Sequence, residues 1–352
     1  MQINNDLANQ GLFGGAKRDV PEEQNAPWRI SPEPFFISGT TYVQLKELGH
    51  HLLRFYQGCQ DLYWDSTKGK IAPWVAEYLH QGKPELVQYY GQMNRFKGDL
   101  PIIIRPDLFQ TSTGFVISEL DSVPGGFGLV TALSQIYGQF DYDLIGGPDG
   151  MLQGFRDSLV HLAPQPTVAI VVSRESQDYW DEMVWMGAGL QKVGLPTYVL
   201  KPEELHYQED GLYVKDNKEL VKINILYRFF ELFDLKNIPK IDLILYAIRK
   251  GQVIVTPPLK SYLEEKLLFA LFHHPLLQKF WVNNLGKETY RILQGILPQT
   301  WIMDPQPLPP YGLIHDLFIG DRPVNSWYQL KDCSKKEREL VIKPSGFSEL
   351  AW

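Results

Sequence analysis

The sequence is poor in cysteine, in long apolar runs and in surplus positive charge, and each shortage removes a class of protein. Its 352 residues include two cysteines, Cys59 and Cys333, with no Cys-x-x-Cys pair and no zinc-ligand spacing. Neither a disulfide framework nor a zinc module is therefore expected. No apolar stretch reaches the roughly 20 residues that span a bilayer, and the longest, Leu267–Leu277, is interrupted by His273, His274 and Pro275. The opening Met1-Gln2-Ile3-Asn4-Asn5 lacks the basic and apolar segments of a secretory signal, so a cytoplasmic protein with no membrane partner is expected. A formal net charge of −7 argues against a general nucleic-acid binder, which needs clustered Lys and Arg. Internal repeats and low-complexity tracts are also missing. What is left is an ordinary globular composition, 44% hydrophobic and 21% charged, on a chain long enough for two or three domains.

Residues 1–27 are polar and rich in Gly and Pro and read as an irregular arm. Helical spacing of apolar residues follows over 42–62, with shorter helices expected over Ala72–His80 and Glu85–Met93. The pattern then changes to a β run at Leu100–Ile104, turn residues Thr111-Ser112-Thr113-Gly114, and a second β run at Phe115–Ile117. A helix is expected over Leu129–Tyr137. From Thr167–Val172 through a helical stretch over 179–193 to Pro196–Leu200, the order strand, helix, strand predicts a βαβ unit with parallel strands. Further strands are expected at Gly211–Val214 and Ile223–Arg228, and helices at Leu243–Lys250 and Ser261–Leu277. A Pro-rich passage over Asp304–Tyr311 leads to a last strand, Leu340–Lys343. The fold class expected is a mixed α/β, or α+β, chain. Its segments are an N-terminal arm with a helical region (1–98), a β-hairpin region (99–160), an α/β domain (161–255) and a final lobe (256–352).

Chemistry concentrates in Arg105-Pro106-Asp107 and Glu119-Leu120-Asp121. Alternate residues of a strand share a face, so each pair faces one way. If Ser112-Thr113-Gly114 closes the hairpin, Asp107 lies opposite Glu119 and Arg105 opposite Asp121, with all four charges on one face; a slip of one residue would separate them. Three carboxylates and one guanidinium leave excess negative charge. A hard oxygen-seeking cation such as Mg2+ would relieve it, with Asp107, Glu119 and Asp121 as ligands and Arg105 turned to a phosphoryl group. The other reading of the same spacing is a solvated salt-bridge ladder.

The Arg-x-Asp followed a dozen residues later by Glu-x-Asp resembles the Mg-ATP signature of glutathionylspermidine synthase and its circularly permuted ATP-grasp relatives. That family usually has Asn where this chain has Asp121, which adds a negative charge. Glu264-Glu265-Lys266-Leu267-Leu268 is similar to the family's Asn-Lys-Ala-Leu-Leu helix, and Val341-Ile342-Lys343-Pro344 to its Lys-Pro strand. The resemblance implies a permuted ATP-grasp fold beside a βαβ pre-ATP-grasp-like unit. It also implies ATP and Mg2+ as cofactors, Arg105 steadying the transferring phosphoryl group, and Lys266 and Lys343 as nucleotide contacts. The partners it implies are a small-molecule or peptide carboxylate and an amine, joined by an ATP-dependent ligase through an acyl phosphate. In the family the Lys-Pro strand runs into a glycine-rich phosphate loop; here that passage begins at Pro344-Ser345-Gly346 and stops at Trp352, so the nucleotide lobe is expected to be C-terminally incomplete. Two other functions fit parts of the pattern: a non-catalytic nucleotide- or peptide-binding relative, and a metal-dependent nuclease, whose usual Lys would be replaced by Asp121.

Other features are weaker. Gly125 and Gly126 in Val123–Gly128 either let backbone N–H groups approach a phosphate or make a tight turn before a helix. The adjacent pairs His50-His51 and His273-His274 cannot share a helical face as metal ligands four apart do. No Ser or Cys has the setting of a nucleophile elbow. Arg228 either reaches an anionic substrate or is buried in an ion pair with Glu231 or Asp234.

Overall fold

The computed structural model describes residues 12, 30–112, 114–304, 312, 314–345 and 347. The arm read over 1–27 (Leu12 apart) and most of the Pro-rich passage lie outside the described residues. In chain order the elements are α1 (Gly39–Thr67), α2 (Trp74–His80), α3 (Glu85–Gly91), β1 (Arg105–Thr111), β2 (Gly114–Asp121), α4 (Phe127–Gly138), α5 (Gly150–Leu162), β3 (Val168–Val172), α6 (Trp180–Lys192), β4 (Thr197–Leu200) and β5 (His206–Gln208). They continue as β6 (Gly211–Asp216), β7 (Glu219–Lys222), β8 (Ile225–Phe229), α7 (Ile241–Lys250), β9 (Ile254–Thr256), α8 (Leu267–His273), α9 (Gln278–Leu285), α10 (Lys287–Ile296), β10 (Phe318–Ile319), β11 (Arg322–Pro323) and α11 (Lys335–Arg338). This is a mixed α/β chain. No helix among the described residues is long and apolar enough to cross a membrane.

The chain forms two compact units assembled from non-contiguous segments, where the sequence reading divides it linearly. The first takes the described residues up to Tyr42, with Leu100–Ile103 and Ser122–Leu259; the second takes Val43–Asp99, Ile104–Asp121 and the described residues from Lys260 on.

In the first unit four parallel strands lie in the order β4-β3-β8-β9, and β5-β6-β7 form a separate antiparallel sheet. Every residue of β3 and β8 is buried, as continuous apolar runs in a doubly covered parallel sheet require. The βαβ unit falls where the sequence places it. Helix α6 turns Met183, Met186 and Leu190 onto the core around Val168, Ile170 and Tyr227. Arg228 is wholly buried in β8, and its guanidinium donates to the carbonyls of Phe230 (2.8 Å), Pro257 (3.1 Å) and Pro258 (3.4 Å). It therefore braces the turn that follows β9.

In the second unit α1 buries Leu48, Leu52, Phe55, Tyr56, Cys59, Leu62 and Tyr63, one face at helical spacing. Phe55 stacks on Trp281 (ring centroids 5.7 Å apart) and meets Phe272 edge-on, so aromatic rings fill this core. Lys260 is 1% exposed, and its ammonium is held by Gln60 Oε1 and the carbonyls of Lys97 (3.2 Å) and Asp99 (2.5 Å). Burial pushes this ammonium down from 10.5 to about 8, against the opposing charge of Asp99. Between those values the unfolded chain binds the proton and the folded chain releases it. Stability from this group therefore rises with pH across that window, by on the order of 3 kcal/mol in all. Lys260→Met is expected to flatten the rise, read as the difference in unfolding free energy between about pH 8 and pH 10.

Three expected elements differ. The apolar run Leu100–Ile104 is not a strand: pairing starts at Arg105, while Ile102 and Ile103 pack against the core of the first unit. The single helix expected over Ser261–Leu277 is broken. α8 ends at His273, because Pro275 lacks an N–H and forces His274 into an extended conformation (φ −67°, ψ 124°). Leu340–Lys343 forms no strand either. Val341 (83% exposed) and Ile342 (66%) have strand composition, but this stretch belongs to none of the sheets of the described residues. Helices α5, α9 and α10 were not anticipated.

Candidate functional site

The hairpin of the second unit carries the predicted charges in the predicted register, but by another route. Arg105 lies opposite Asp121 and Asp107 opposite Glu119. The turn is one residue shorter than expected, since Thr111 pairs with Gly114, and a bulge between Asp107 and Leu108 restores the offset. Ser118 is the extra residue. The connection is Ser112-Thr113, and Gly114, the first residue of β2, has a positive φ (138°) that glycine adopts readily. Thr113 itself lies outside the described residues.

The four hairpin charges are joined by two lysines from distant parts of the chain. Arg105 spans two carboxylates, with Nε 3.1 Å from Asp107 Oδ1 and Nη2 3.2 Å from Asp121 Oδ2. Lys266 Nζ lies 3.0 Å from Glu119 Oε1 and Lys343 Nζ 3.5 Å from Glu119 Oε2. Lys343 also donates to the Ser118 carbonyl at 3.2 Å. The cluster therefore balances three carboxylates with three cations, where the hairpin alone leaves excess negative charge. Asp121 is the deepest member, with its side chain 8% exposed, whereas Arg105 and Lys343 reach solvent.

Beside Glu119 and Lys266 is a small recess walled by Phe55, Tyr56 and Phe269, with Glu265 among its lining residues. Its cavity volume is about 10 Å³, the room of one water. The Tyr56 hydroxyl on this wall is held well above its usual pKa, first by burial and then by its neighbours Cys59, Asp121 and Glu264. It stays protonated and can donate.

Behind the recess is an ion pair that the sequence does not announce. Lys83 and Glu265 are joined with side chains 1% and 4% exposed. Lys83 also donates to the Leu79 carbonyl (2.6 Å), and Glu265 accepts from the Ser345 hydroxyl. Lys83 reads locally as a turn residue in Gly82-Lys83-Pro84, and nothing in the sequence pattern couples it to a carboxylate so far along the chain.

The glycine loop belongs to the first unit, and its donors are already engaged. Gly126 N–H donates to Glu182 Oε2 (3.1 Å) and Gly128 N–H to Glu182 Oε1 (3.0 Å), so a carboxylate from α6 caps the start of α4. A Cβ on Gly125 would fall 2.2 Å from the Tyr179 ring, which accounts for a glycine there by packing alone. Gly125 and Gly126 therefore serve the turn before α4, the second of the two readings of this loop.

Asp107, Glu119 and Asp121 offer only carboxylate oxygens, a donor set chemically suited to Mg2+. As placed they are engaged by Arg105, Lys266 and Lys343, and no group of three or more His, Cys, Asp or Glu among the described residues is arranged to hold a metal. Comparison of the chain with protein-family models and with curated proteins returns no match.

Proposed function

We propose that the chain is an ATP-dependent carboxylate–amine ligase of the permuted ATP-grasp type, working through an acyl phosphate. The observation that carries this reading is the convergence of Lys266 and Lys343 on Glu119. The sequence resemblance names both lysines as nucleotide contacts, and the fold brings them to the acidic hairpin. In this reading Lys266 and Lys343 exchange Glu119 for phosphate oxygens when nucleotide arrives, and Asp107, Glu119 and Asp121 are the residues that would hold magnesium. The metal, when bound, neutralises phosphate charge. Arg105 faces the phosphoryl group as it leaves ADP for a substrate carboxylate oxygen. The amine then attacks the acyl carbon and phosphate departs, leaving an amide.

Calorimetric titration of Mg-ATP tests this reading. Lys266→Ala is expected to weaken binding about tenfold, the scale of one charge-assisted phosphate contact, with the circular dichroism spectrum unchanged. Equal affinity in the two proteins would remove Lys266 from the site.

A second reading, a nucleotide- or peptide-binding protein without catalysis, is favoured by the internal charge balance of the cluster. Phosphate release that rises when a peptide or amino-acid carboxylate and an amine are supplied separates the two.

A further inference from the structure

The recess beside the hairpin carries a polar group that the proposed chemistry leaves unused. Tyr56 lies on the buried face of α1, is 1% exposed and lines the recess. Its ring packs nearly edge-on against Phe55 (centroids 6.4 Å apart, planes at 79°). Among the described residues its hydroxyl has no hydrogen-bond partner. That hydroxyl is nevertheless not one of the unpartnered polar atoms sealed inside protein, as the Ser122 hydroxyl is. The little surface that Tyr56 keeps therefore includes its hydroxyl, and Tyr56 opens onto the recess.

A buried hydroxyl without a partner is unfavourable, so the space it meets has to supply one. A recess of about 10 Å³ has the room of one water, and a water in such a place needs about two to four polar partners. Glu119 and Glu265 line the recess together with Tyr56. A carboxylate accepts about four hydrogen bonds over its two oxygens. Glu119 is engaged by Lys266 at Oε1 and by Lys343 at Oε2, and Glu265 by Lys83 and the Ser345 hydroxyl, so both keep acceptor sites. A water that accepts from Tyr56 can therefore donate to these carboxylates.

We propose that Tyr56 is a positioning residue for Glu119, acting through a single water in the recess that accepts from the phenol and donates to the carboxylate. Its part in Mg-ATP binding rests on the ligase reading; the bridge itself does not. In that reading Lys266 and Lys343 leave Glu119 for phosphate, and the carboxylate loses both cations that hold it. The bridge stays, because Tyr56 belongs to the buried face of α1 and has no charge to offer the nucleotide. It keeps Glu119 turned to magnesium, the support from behind on which a metal-binding carboxylate depends. Tyr56 touches neither the metal nor a reacting atom.

The experiment compares the full-length parent with Tyr56→Phe, which removes one oxygen and keeps the ring. Each is crystallised without ligand, and each is titrated with ATP by calorimetry, with and without magnesium. The parent is expected to show a water within hydrogen-bond distance of both the Tyr56 oxygen and the Glu119 carboxylate, and Tyr56→Phe to lose it. Mg-ATP affinity is expected to fall about tenfold in the variant, the lower end of what removing a group behind a metal ligand does. Affinity for ATP alone is expected to stay unchanged. A recess without that water, or a phenol bonded directly to protein, would overturn the bridge. Equal Mg-ATP affinity in the two proteins would overturn the positioning role, as would an equal loss with and without magnesium, the mark of a structural defect. The bridging water in the crystal, with no Mg-ATP binding by the parent, would uphold the bridge and sink the nucleotide reading alone.

Discussion

Glu265→Gln is expected to destabilise the second unit by about 3–5 kcal/mol, the largest single effect anticipated for this chain. The substitution is nearly isosteric, so packing is not the cause. Lys83 is 1% exposed and would face a neutral amide in place of its carboxylate, and neither that amide oxygen nor the Leu79 carbonyl carries the charge that balances an ammonium. An uncompensated buried ammonium is far more unfavourable than the intact pair is favourable. This asymmetry supplies the control: Lys83→Met combined with Glu265→Leu removes both charges and is expected to recover most of the loss. The urea midpoint of the single and double variants measures it. A single variant as stable as the parent would mean that water reaches Lys83 in solution. In Glu265→Gln the Ser345 hydroxyl meets a neutral amide in place of a carboxylate, so its hydrogen bond loses its charge assistance.

Glu119→Gln is expected to have the largest effect on ligand binding, weakening Mg-ATP about a hundredfold while changing stability by less than about 1 kcal/mol. The two outcomes follow from the same geometry. Glu119 is partly solvated, and its partners Lys266 and Lys343 can turn to water when the charge goes, so little stability is lost. In the ligand-bound state of the proposed site Glu119 would hold magnesium, which a neutral amide does poorly. The lysines released from Glu119 bind phosphate more readily in the variant, which offsets part of the loss without magnesium. The Mg2+ dependence should therefore fall more than the affinity for ATP alone. Calorimetry with and without magnesium, beside a urea titration, reads both. A variant that loses stability and keeps its affinity would recast the cluster as a structural ladder.

How much of this was readable beforehand depends on the range of the interactions. The βαβ unit was legible because a strand buried on both faces writes itself as an unbroken apolar run, as β3 does. The charge pairs of the hairpin were legible because side chains alternate along a strand. The predicted pairs Arg105–Asp121 and Asp107–Glu119 nevertheless form through a shorter turn plus a bulge at Ser118, and neither leaves a composition signal. Leu340–Lys343 and Leu100–Ile104 show the limit of propensity: both have strand residues, but a strand exists only where an edge accepts it, and Ile102 and Ile103 go to a core instead. The contacts of Lys83 and Ser345 with Glu265 were not legible, because ion pairs and hydroxyl contacts between distant segments obey no sequence period. The donors of the glycine loop were obscured in the same way, since Glu182 lies on another helix.

The most direct measurement is a titration of ATP into the unaltered chain, once with excess magnesium and once with a chelator. Binding at least tenfold tighter with magnesium is expected, because lysines that turn from Glu119 to phosphate leave the three hairpin carboxylates with Arg105 alone and in need of a shared cation. Equal affinity under both conditions, or no binding under either, would contradict the assignment of Asp107, Glu119 and Asp121 as a Mg-ATP site.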